Sequence, residues 1–236
     1  MSNPKYKRIL LKLSGEALAG EKGFGIDTAT VAGIVESIET IYRMGVQIAI
    51  VVGAGNFWRG RDGQGMDRST ADHMGMLGTV INSLALQDAI EKHDIPTRVM
   101  TAIPMDRIAE PYIKRKAVSH LKNAEVVIFA CGTGNPFFST DTGAALRAAE
   151  IDADIILFAK NIDGIYSADP KTNPDAVKYE TISYHEVLMK KLAAIDLTAT
   201  SLCLDNEIPS LLFALEEPAN IVDAVKGKST GTFIEK

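Results

Sequence analysis

Short apolar runs alternate along this chain with stretches whose apolar residues recur at helical spacing, and this alternation constrains the fold more than any other feature. Strands are expected at residues 9–13, 46–52, 98–103, 126–130, 155–159 and 210–214. Helices are expected at about 28–44, 71–92, 141–151, 184–192 and 218–225. Buried strands that alternate with amphipathic helices form parallel sheets covered on both faces. The sequence therefore predicts an α/β fold, a three-layer sandwich with a mostly parallel central sheet.

Two of these helices carry more specific predictions. Asp27 can cap the start of the first helix, and Gly45 stands where a helix commonly ends in a left-handed glycine. In the second helix the apolar spacing predicts an inward face. The residues assigned to that face are Met74, Leu77, Ile81, Leu84 and Ala85.

Composition argues against several classes of protein. The net charge of -5 gives no bulk attraction to nucleic acid or to an anionic membrane, so an anionic ligand must be met by a local cluster of cations. The two cysteines, Cys131 and Cys203, cannot form a disulfide framework and are expected to be buried. No export signal or membrane-spanning stretch is apparent, so we expect a soluble, cytoplasmic protein.

Three of the predicted strands end in segments rich in small residues. These segments are KLSG at residues 12–15, GAGN at 53–56 with Arg59 and Gly60 just after, and GTGNP at 132–136. In open α/β sheets, ligands bind beyond the carboxyl ends of the strands. Small residues let backbone N–H groups approach phosphate oxygens, and the nearby Lys12 and Arg59 add positive charge. The sequence therefore predicts a phosphate-binding site at this edge.

Two familiar nucleotide-binding motifs are excluded. The GKS at residues 227–229 imitates the end of a P-loop, but Val222 stands where the first glycine of that motif belongs. The glycine pairs at residues 53–55 and 132–134 imitate a dinucleotide fingerprint, but Trp58 and Phe137 occupy the position of its third glycine.

Over about residues 7–233 the sequence resembles the bacterial UMP kinases of the amino-acid-kinase fold. The segments that carry the resemblance are KLSGEAL (12–18), GEKGFGID (20–27), VVGAGNFWRG (51–60), TADHMGML (70–77), AIPM (102–105), AEPYI (109–113), GTGNPFFSTDTGAALRA (132–148), DGIYSADP (163–170) and SLCLDN (201–206). The resemblance implies one domain over residues 1–236. Its part at about 1–150 would bind UMP and phosphates, and its part at about 151–236 would bind the base and ribose of ATP. The loop at residues 170–174 is a candidate border between the two.

The resemblance also implies a role for particular residues. The expected ATP contacts are Lys12, Leu13, Ser14, Gly15, Gly55, Arg59, Asn161, Tyr166 and Asp169. The expected UMP contacts are Ala54, Asp72, Thr133, Gly134, Asn135, Pro136, Phe137, Phe138, Ser139 and Thr140. The segment expected to mediate activation by GTP consists of Gly20, Glu21, Lys22, Gly23, Phe24 and Gly25. Such enzymes use Mg²⁺ with ATP, are inhibited by UTP and assemble as hexamers.

The implied reaction needs no catalytic base, because a phosphate monoester with a second pKa near ~6 is largely a dianion at neutral pH. Positive charge at the transferred phosphoryl group is the main requirement, and Lys12 and Arg59 can supply it with backbone amides and Mg²⁺. Asp141 and Asp196 are candidates to orient Lys12 or a Mg²⁺-bound water. For Asp141 the alternative is a helix N-cap.

Several alternatives remain open at this point. Phe137 and Phe138 fit a core role better than a ligand role when the residues alone are considered. Asp72 could simply favour a helix N-terminus. Ala54 stands where relatives have glycine, and an alanine fits there only if the residue has a negative φ. Cys131 also stands where glycine is common, and Lys160 is the alternative to Asn161 as an ATP contact.

Two rival functions are considered. The first is a kinase of the same fold that phosphorylates a carboxylate or carbamate, and the segment at residues 132–141 argues against it. The second is a nucleotide sensor without turnover, and the retention of Lys12, Arg59 and Asp169 argues against it.

Overall fold

A computed structural model of the chain describes residues 3–170, 172–215 and 217–236. Within these ranges nine strands form one sheet in the order β4-β3-β5-β2-β1-β6-β8-β9-β7, with every pair parallel except β8 and β9. The strands are β1 Arg8–Leu13, β2 Gln47–Val52, β3 Thr97–Thr101, β4 Glu110–Pro111, β5 Val126–Ala130, β6 Ile155–Lys160, β7 Thr181–Ser183, β8 Ser210–Ala214 and β9 Thr232–Glu235. The mostly parallel sheet is confirmed.

Helices cover both faces of this sheet. The α-helices are α1 Thr28–Arg43, α2 Arg68–Glu91, α3 Lys114–Lys122, α4 Thr140–Glu150, α5 Tyr184–Met189, α6 Leu197–Asp205 and α7 Ala219–Val225, and the 3₁₀ segments are Gly15–Lys22 and Gly60–Asp62. One core cluster joins α1, α2 and α7 to the sheet, and the other joins α3, α4, α5 and α6. Side chains alternate along β1 between the two clusters, since Ile9 and Leu11 belong to the first and Leu10 to the second. The three-layer sandwich is thus confirmed.

The predicted ends of α1 are confirmed. The Asp27 carboxylate accepts a hydrogen bond from Thr30 N at 2.9 Å, as an N-cap does. Gly45 follows the helix with φ of 80° and donates to Tyr42 O. Glycine populates that left-handed region without steric cost, so it ends the helix cleanly.

The predicted inward face of α2 is wrong for three of its five residues, whereas Leu84 and Ala85 are partly buried and Leu84 packs against the core. Met74, Leu77 and Ile81 are 37%, 51% and 49% exposed, whereas Met76 and Val80 are buried against the sheet. Both faces of this helix carry apolar residues, so spacing alone could not tell which face packs on the sheet. The outward residues Met74, Leu77 and Ile81 form an apolar stripe along α2, called here the α2 stripe.

The buried cysteines are confirmed as well. Burial raises the pKa of the Cys131 thiol and raises that of Cys203 to about 12. Both side chains therefore stay protonated at neutral pH and pack as small apolar groups.

Some elements were not foreseen. Strands β4, β7 and β9 lie at or near the two sheet edges and are only two to four residues long, and α6 is a further helix. Segments this short carry little periodicity of their own. Within the loop at residues 170–174, Lys171 lies outside the described residues. None of the helices in the described ranges is long and apolar enough to cross a membrane.

The topology decides where a ligand can bind. The strands β5, β2, β1 and β6 are neighbours at the centre of the sheet, and Leu13 at the end of β1 pairs with Val52 on one side and Ala159 on the other. Because these strands are parallel, the segments that follow their carboxyl ends meet at one edge. The three small-residue segments are thereby brought together.

Candidate active site

A cleft of about 920 Å³ opens at this edge of the sheet. It collects residues that follow all four central strands and the first turns of α2 and α4. The predicted site residues that line it are Lys12, Ser14, Gly15, Ala54, Gly55, Arg59, Asp72, Thr133, Asn135, Phe137, Phe138, Ser139, Thr140, Asp141, Asn161 and Asp196.

The floor of the cleft is formed where two strand ends touch. A Cβ added to Gly15 would lie 2.5 Å from Gly53 O and 2.7 Å from Gly55 N. Any side chain at Gly15 would therefore push the two loops apart. Ala54, between Gly53 and Gly55, lies outside the left-handed region, as an alanine there requires.

Two lysines, the buried Lys12 and the partly buried Lys160, share one carboxylate at the centre of the cleft. Lys12 Nζ lies 2.9 Å from Asp141 Oδ1, and Lys160 Nζ lies 2.5 Å from Asp141 Oδ2. Lys160 Nζ also donates to Ala194 O at 2.6 Å. The group holds two cations and one anion, so it presents a net positive charge to the cleft.

The ionisation of this group follows from its geometry. Burial alone would raise the pKa of Asp141, but the charges of Lys12 and Lys160 overcome this and hold it at about 2. Burial also lowers the pKa of Lys160 below the usual lysine value, and the Asp141 charge opposes that shift only in part. At neutral pH Asp141 is therefore a carboxylate that holds the two ammonium groups in place.

Asp141 is not the N-cap of its helix, so that alternative is wrong. Ser139 caps α4 instead, since its Oγ accepts hydrogen bonds from Asp141 N at 3.0 Å and Thr142 N at 3.3 Å. The Asp141 side chain is left to meet the lysines. Asp196 caps α6 by accepting from Ala199 N at 2.8 Å, and its carboxylate also accepts from the hydroxyls of Ser139 and Thr142.

Arg59 enters the cleft after β2 and pairs with a carboxylate that sequence reasoning did not single out. Its guanidinium forms an ion pair with Glu16, whose other oxygen accepts a hydrogen bond from Asn161 Nδ2 at 3.3 Å. Glu16 thereby joins the loop after β2 to the loop after β6.

Asp72 lies on the opposite wall of the cleft. Its carboxylate accepts from Arg68 Nε at 2.9 Å and from Phe137 N at 2.8 Å. The N-cap of α2 is Asp67, which accepts from Thr70 N at 3.0 Å, and Asp72 lies in the second turn of the helix. The capping alternative for Asp72 is therefore wrong, because the helix begins three residues earlier than predicted.

The loop between β5 and α4 faces the same space. Phe137 and Phe138 are 68% and 50% exposed, so the core role considered for them is wrong. Cys131 and Phe137 both adopt positive φ, 65° and 71°, which is uncommon for residues other than glycine. Hydrogen bonds hold these conformations, since Thr79 Oγ1 accepts from Cys131 N at 2.8 Å and Asp72 accepts from Phe137 N.

Other predicted residues lie outside the cleft lining. These are Leu13, Gly134, Pro136, Tyr166, Asp169 and residues 20–25. The Tyr166 hydroxyl donates to Asp163 at 3.0 Å, and Asp169 O accepts from Thr172 N at 3.1 Å. The segment 20–25 is tied to the cleft loops from behind, because Asn56 Nδ2 donates to Gly25 O at 2.7 Å and Gly25 N donates to Asn56 O at 3.0 Å.

Sequence reasoning did not predict the roles of three charged residues of the cleft. Glu16 and Arg68 were not considered, and Lys160 was considered only as an ATP contact. The signal for Lys160 was available, since it is a charge at the carboxyl end of an otherwise apolar strand, as Lys12 is near the end of β1. For Glu16 and Arg68 only the fold supplies the signal.

Comparison with known proteins gives consistent results. Residues 7–213 match the amino acid kinase family. The structure of UMP kinase from Bacillus anthracis is similar at 39% identity and a TM-score of 0.94, covering 98% of this chain and 96% of that one. UMP kinase from Ureaplasma parvum is similar at 39% identity, with a TM-score of 0.93 and coverage of 98% and 100%. Uridylate kinase from Archaeoglobus fulgidus is 29% identical, with a TM-score of 0.74 and coverage of 96% and 99%.

Proposed function

This chain belongs to the amino acid kinase family, and from that premise we propose that it is a nucleoside monophosphate kinase that transfers the γ-phosphoryl group of ATP to UMP, giving UDP and ADP. The observation that carries the proposal is the Lys12–Asp141–Lys160 group at the centre of the cleft. It lies between the two sets of residues expected to hold the donor and the acceptor. The names of the similar structures support UMP as the acceptor.

Charge stabilisation is the main task of such a site. Donor and acceptor are both anions, and the acceptor phosphate needs no deprotonation at neutral pH. Lys12 and Lys160 contact the two oxygens of the same carboxylate, so their ammonium groups lie close together. Both can face the moving phosphoryl group without reorganisation. Asp141 acts through them as a positioning residue, because its two oxygens set the separation of the lysines.

The walls of the cleft suit two nucleotides. On the donor side we assign Ser14, Gly15, Gly55 and Arg59 to the ATP phosphates. We assign Asn161 to its base and ribose, together with Tyr166 and Asp169, which lie outside the cleft lining. On the acceptor side we assign Asp72, Ala54 and the loop from Thr133 to Thr140 to UMP. The exposed rings of Phe137 and Phe138 and the backbone donors of this loop support a ligand there.

Mg²⁺ fits this site as a companion of ATP. Among the described residues, no three His, Cys, Asp or Glu side chains are grouped as metal ligands. The cleft carboxylates of Asp141, Glu16 and Asp72 are each paired with a cation, and that of Asp196 accepts hydrogen bonds from Ser139, Thr142 and Ala199 N. The phosphate oxygens would therefore supply the metal ligands, and the ion would neutralise charge on the polyphosphate.

Assembly and regulation are also part of the proposal. The α2 stripe exposes apolar residues in a row, which supports packing against a second copy, and the resemblance makes a hexamer the expected assembly. GTP is proposed as an activator that acts through residues 20–25, and UTP as an inhibitor. The hydrogen bonds between Gly25 and Asn56 support a link from that segment to the cleft.

A substrate panel tests the proposal directly. Purified protein is given ATP and Mg²⁺ with UMP, CMP, AMP, acetylglutamate, glutamate or carbamate, and ADP release is measured. We expect turnover with UMP well above that with any other acceptor. Turnover with an acid and not with UMP would assign the chain to another activity of the family, and binding of ATP without turnover on any acceptor would indicate a sensor.

A further inference from the structure

The donor side of the cleft holds a carboxylate that the reaction itself does not require. Glu16 comes directly after Ser14 and Gly15, as the second residue of the 3₁₀ segment, and its side chain is 39% exposed. One oxygen pairs with the Arg59 guanidinium, which is 34% exposed, and the other accepts from Asn161 Nδ2 at 3.3 Å. A negative charge thus stands among groups assigned to a polyanion.

Close packing brings the Glu16–Arg59 pair over the backbone at Gly55. A Cβ added to Gly55 would lie 3.0 Å from Glu16 Cγ and 3.3 Å from Arg59 Nε. The two side chains therefore cross directly above the backbone of Gly55, which is assigned to the ATP phosphates. Arg59 cannot give its full charge to a phosphate there while Glu16 neutralises it.

We propose that Glu16 is a positioning residue of the ATP site that occupies Arg59 in the free enzyme and gives it up to the phosphates when ATP binds. The inference rests on the proposed function, since it takes the ligand of Arg59 to be a nucleoside polyphosphate. Glu16 holds Arg59 and Asn161 in the cleft and also lowers the affinity for the donor, because ATP has to displace a carboxylate.

The sign of the effect follows from two opposing contributions. Glu16 orders Arg59, which favours binding, but an ion pair this exposed contributes little to an equilibrium. Its charge also repels a polyanion a few ångströms away, and Coulomb energies at such distances exceed the net contribution of an exposed pair. Repulsion and competition therefore outweigh ordering, and ADP must feel the same effect as ATP.

The charge can be removed without removing the side chain. Glu16→Gln keeps the length of the residue and an oxygen that can accept from Asn161 and Arg59. Glu36→Gln on α1 is the matched control, since it removes one exposed carboxylate outside the cleft. The chain has a single tryptophan, Trp58, which lines the cleft, so its fluorescence reports nucleotide binding without turnover.

Titration of wild type, Glu16→Gln and Glu36→Gln with ATP, ADP and UMP, with Mg²⁺ present, tests the proposal. We expect Glu16→Gln to bind ATP and ADP about three- to tenfold more tightly, with UMP binding and the Glu36→Gln control unchanged. The gain should shrink at high salt, because screening weakens interactions between exposed charges.

The contrary outcomes are distinct. Equal or weaker ATP binding by Glu16→Gln with unchanged UMP binding would overturn the role given to Glu16 and leave the kinase assignment standing. Weaker binding of both ATP and UMP would show that Glu16 only supports the shape of the cleft. A wild-type protein that binds neither nucleotide would remove the proposed function and this inference with it.

Discussion

At the scale of single residues, the central feature is one buried carboxylate that positions two lysines. Asp141 is ionised because Lys12 and Lys160 hold its pKa at about 2 against the effect of burial. Removing either lysine changes the charge of the cleft and also the arrangement of the lysine and carboxylate that remain. The roles of Lys12 and Lys160 are therefore distinguished by different measurements, kcat for Lys12 and the pH profile for Lys160.

Lys12→Ala should reduce turnover far more than UMP affinity. Loss of one charge contact made mainly in the transition state costs on the order of 3 kcal/mol, about a hundredfold or more in kcat. Steady-state kinetics with both substrates varied would measure it, with Lys7→Ala, an exposed lysine before β1, as the control. A kcat within a few-fold of wild type would contradict the role of Lys12.

The lowered pKa of Lys160 predicts the alkaline limb of the pH profile. Because its charged form is the active one, kcat should fall as pH rises through a value below about 10.4, the ordinary lysine pKa. The Lys160 contribution to folding has the opposite sign to this fall, so Tm measured over the same pH range separates the titration from unfolding. Between the lowered pKa and the ordinary one the unfolded chain binds more protons, so the Lys160 contribution makes the fold more stable as pH rises there.

Lys160→Arg supplies the comparison for that profile. Its guanidinium stays charged, so the alkaline limb should move to higher pH even if kcat is lower. The acid limb should stay near pH ~6, where the acceptor phosphate titrates. An alkaline limb that does not move in Lys160→Arg would show that another group sets it.

Asp72→Ala should raise the KM for UMP by about tenfold or more with much less effect on the KM for ATP, since a hydrogen bond to a charged group contributes roughly 1.5–3 kcal/mol. The loop is also affected, because Phe137 N loses its acceptor. Asp67→Ala is the matched control, for it removes the N-cap of α2 and should lower Tm without changing the KM for UMP. A normal KM with a lowered Tm in Asp72→Ala would remove Asp72 from the site.

At the scale of elements, α2 connects the cleft to the outer surface. Its first turns carry Asp67, Arg68 and Asp72, its inner face packs on the sheet, and its outer face carries the α2 stripe. A helix that is apolar on both sides is expected to be covered on both sides. The second cover is the proposed partner subunit.

The double variant Leu77→Glu/Ile81→Glu should lower the molecular mass measured by light scattering, because two charges would be buried without partners at the α2 stripe. Its Tm at high dilution should differ little from that of wild type, since both side chains are about half exposed within one chain. Val177→Glu, at another exposed apolar residue, is the control. An unchanged mass would place the assembly surface elsewhere.

At the scale of the whole molecule, the loops behind the cleft are joined to it by buried polar contacts. Asn56 bonds Gly25 and Asn82, and Asn82 Nδ2 donates to Gly53 O at 2.8 Å. Gly25 and residues 53–56 therefore cannot move independently without breaking these hydrogen bonds.

GTP should change the kinetics of UMP without serving as the preferred donor. Coupling between two nucleotide sites is typically about 1–3 kcal/mol, a change of roughly five- to 150-fold in affinity. A GTP titration at fixed ATP and varied UMP would measure it, with CTP as the control nucleotide. Unchanged UMP kinetics over the full titration would remove the regulatory proposal and leave the kinase assignment standing.

Much of the fold followed from local patterns. The six main strands, the capped ends of α1 and the small residues after the central strands could be predicted because periodicity, caps and turns depend on neighbouring residues. The resemblance to bacterial UMP kinases added the loop at residues 132–140, and the similar structures bear out the family.

Only the tertiary structure decided which charges meet. Lys12, Asp141 and Lys160 are far apart in sequence and come together because β1 and β6 are neighbours and α4 begins beside their ends. The inward face of α2 and the antiparallel pairing of β9 were decided in the same way. Such choices depend on which surfaces bury the most apolar area together, and that is a property of the assembled layers rather than of any one segment.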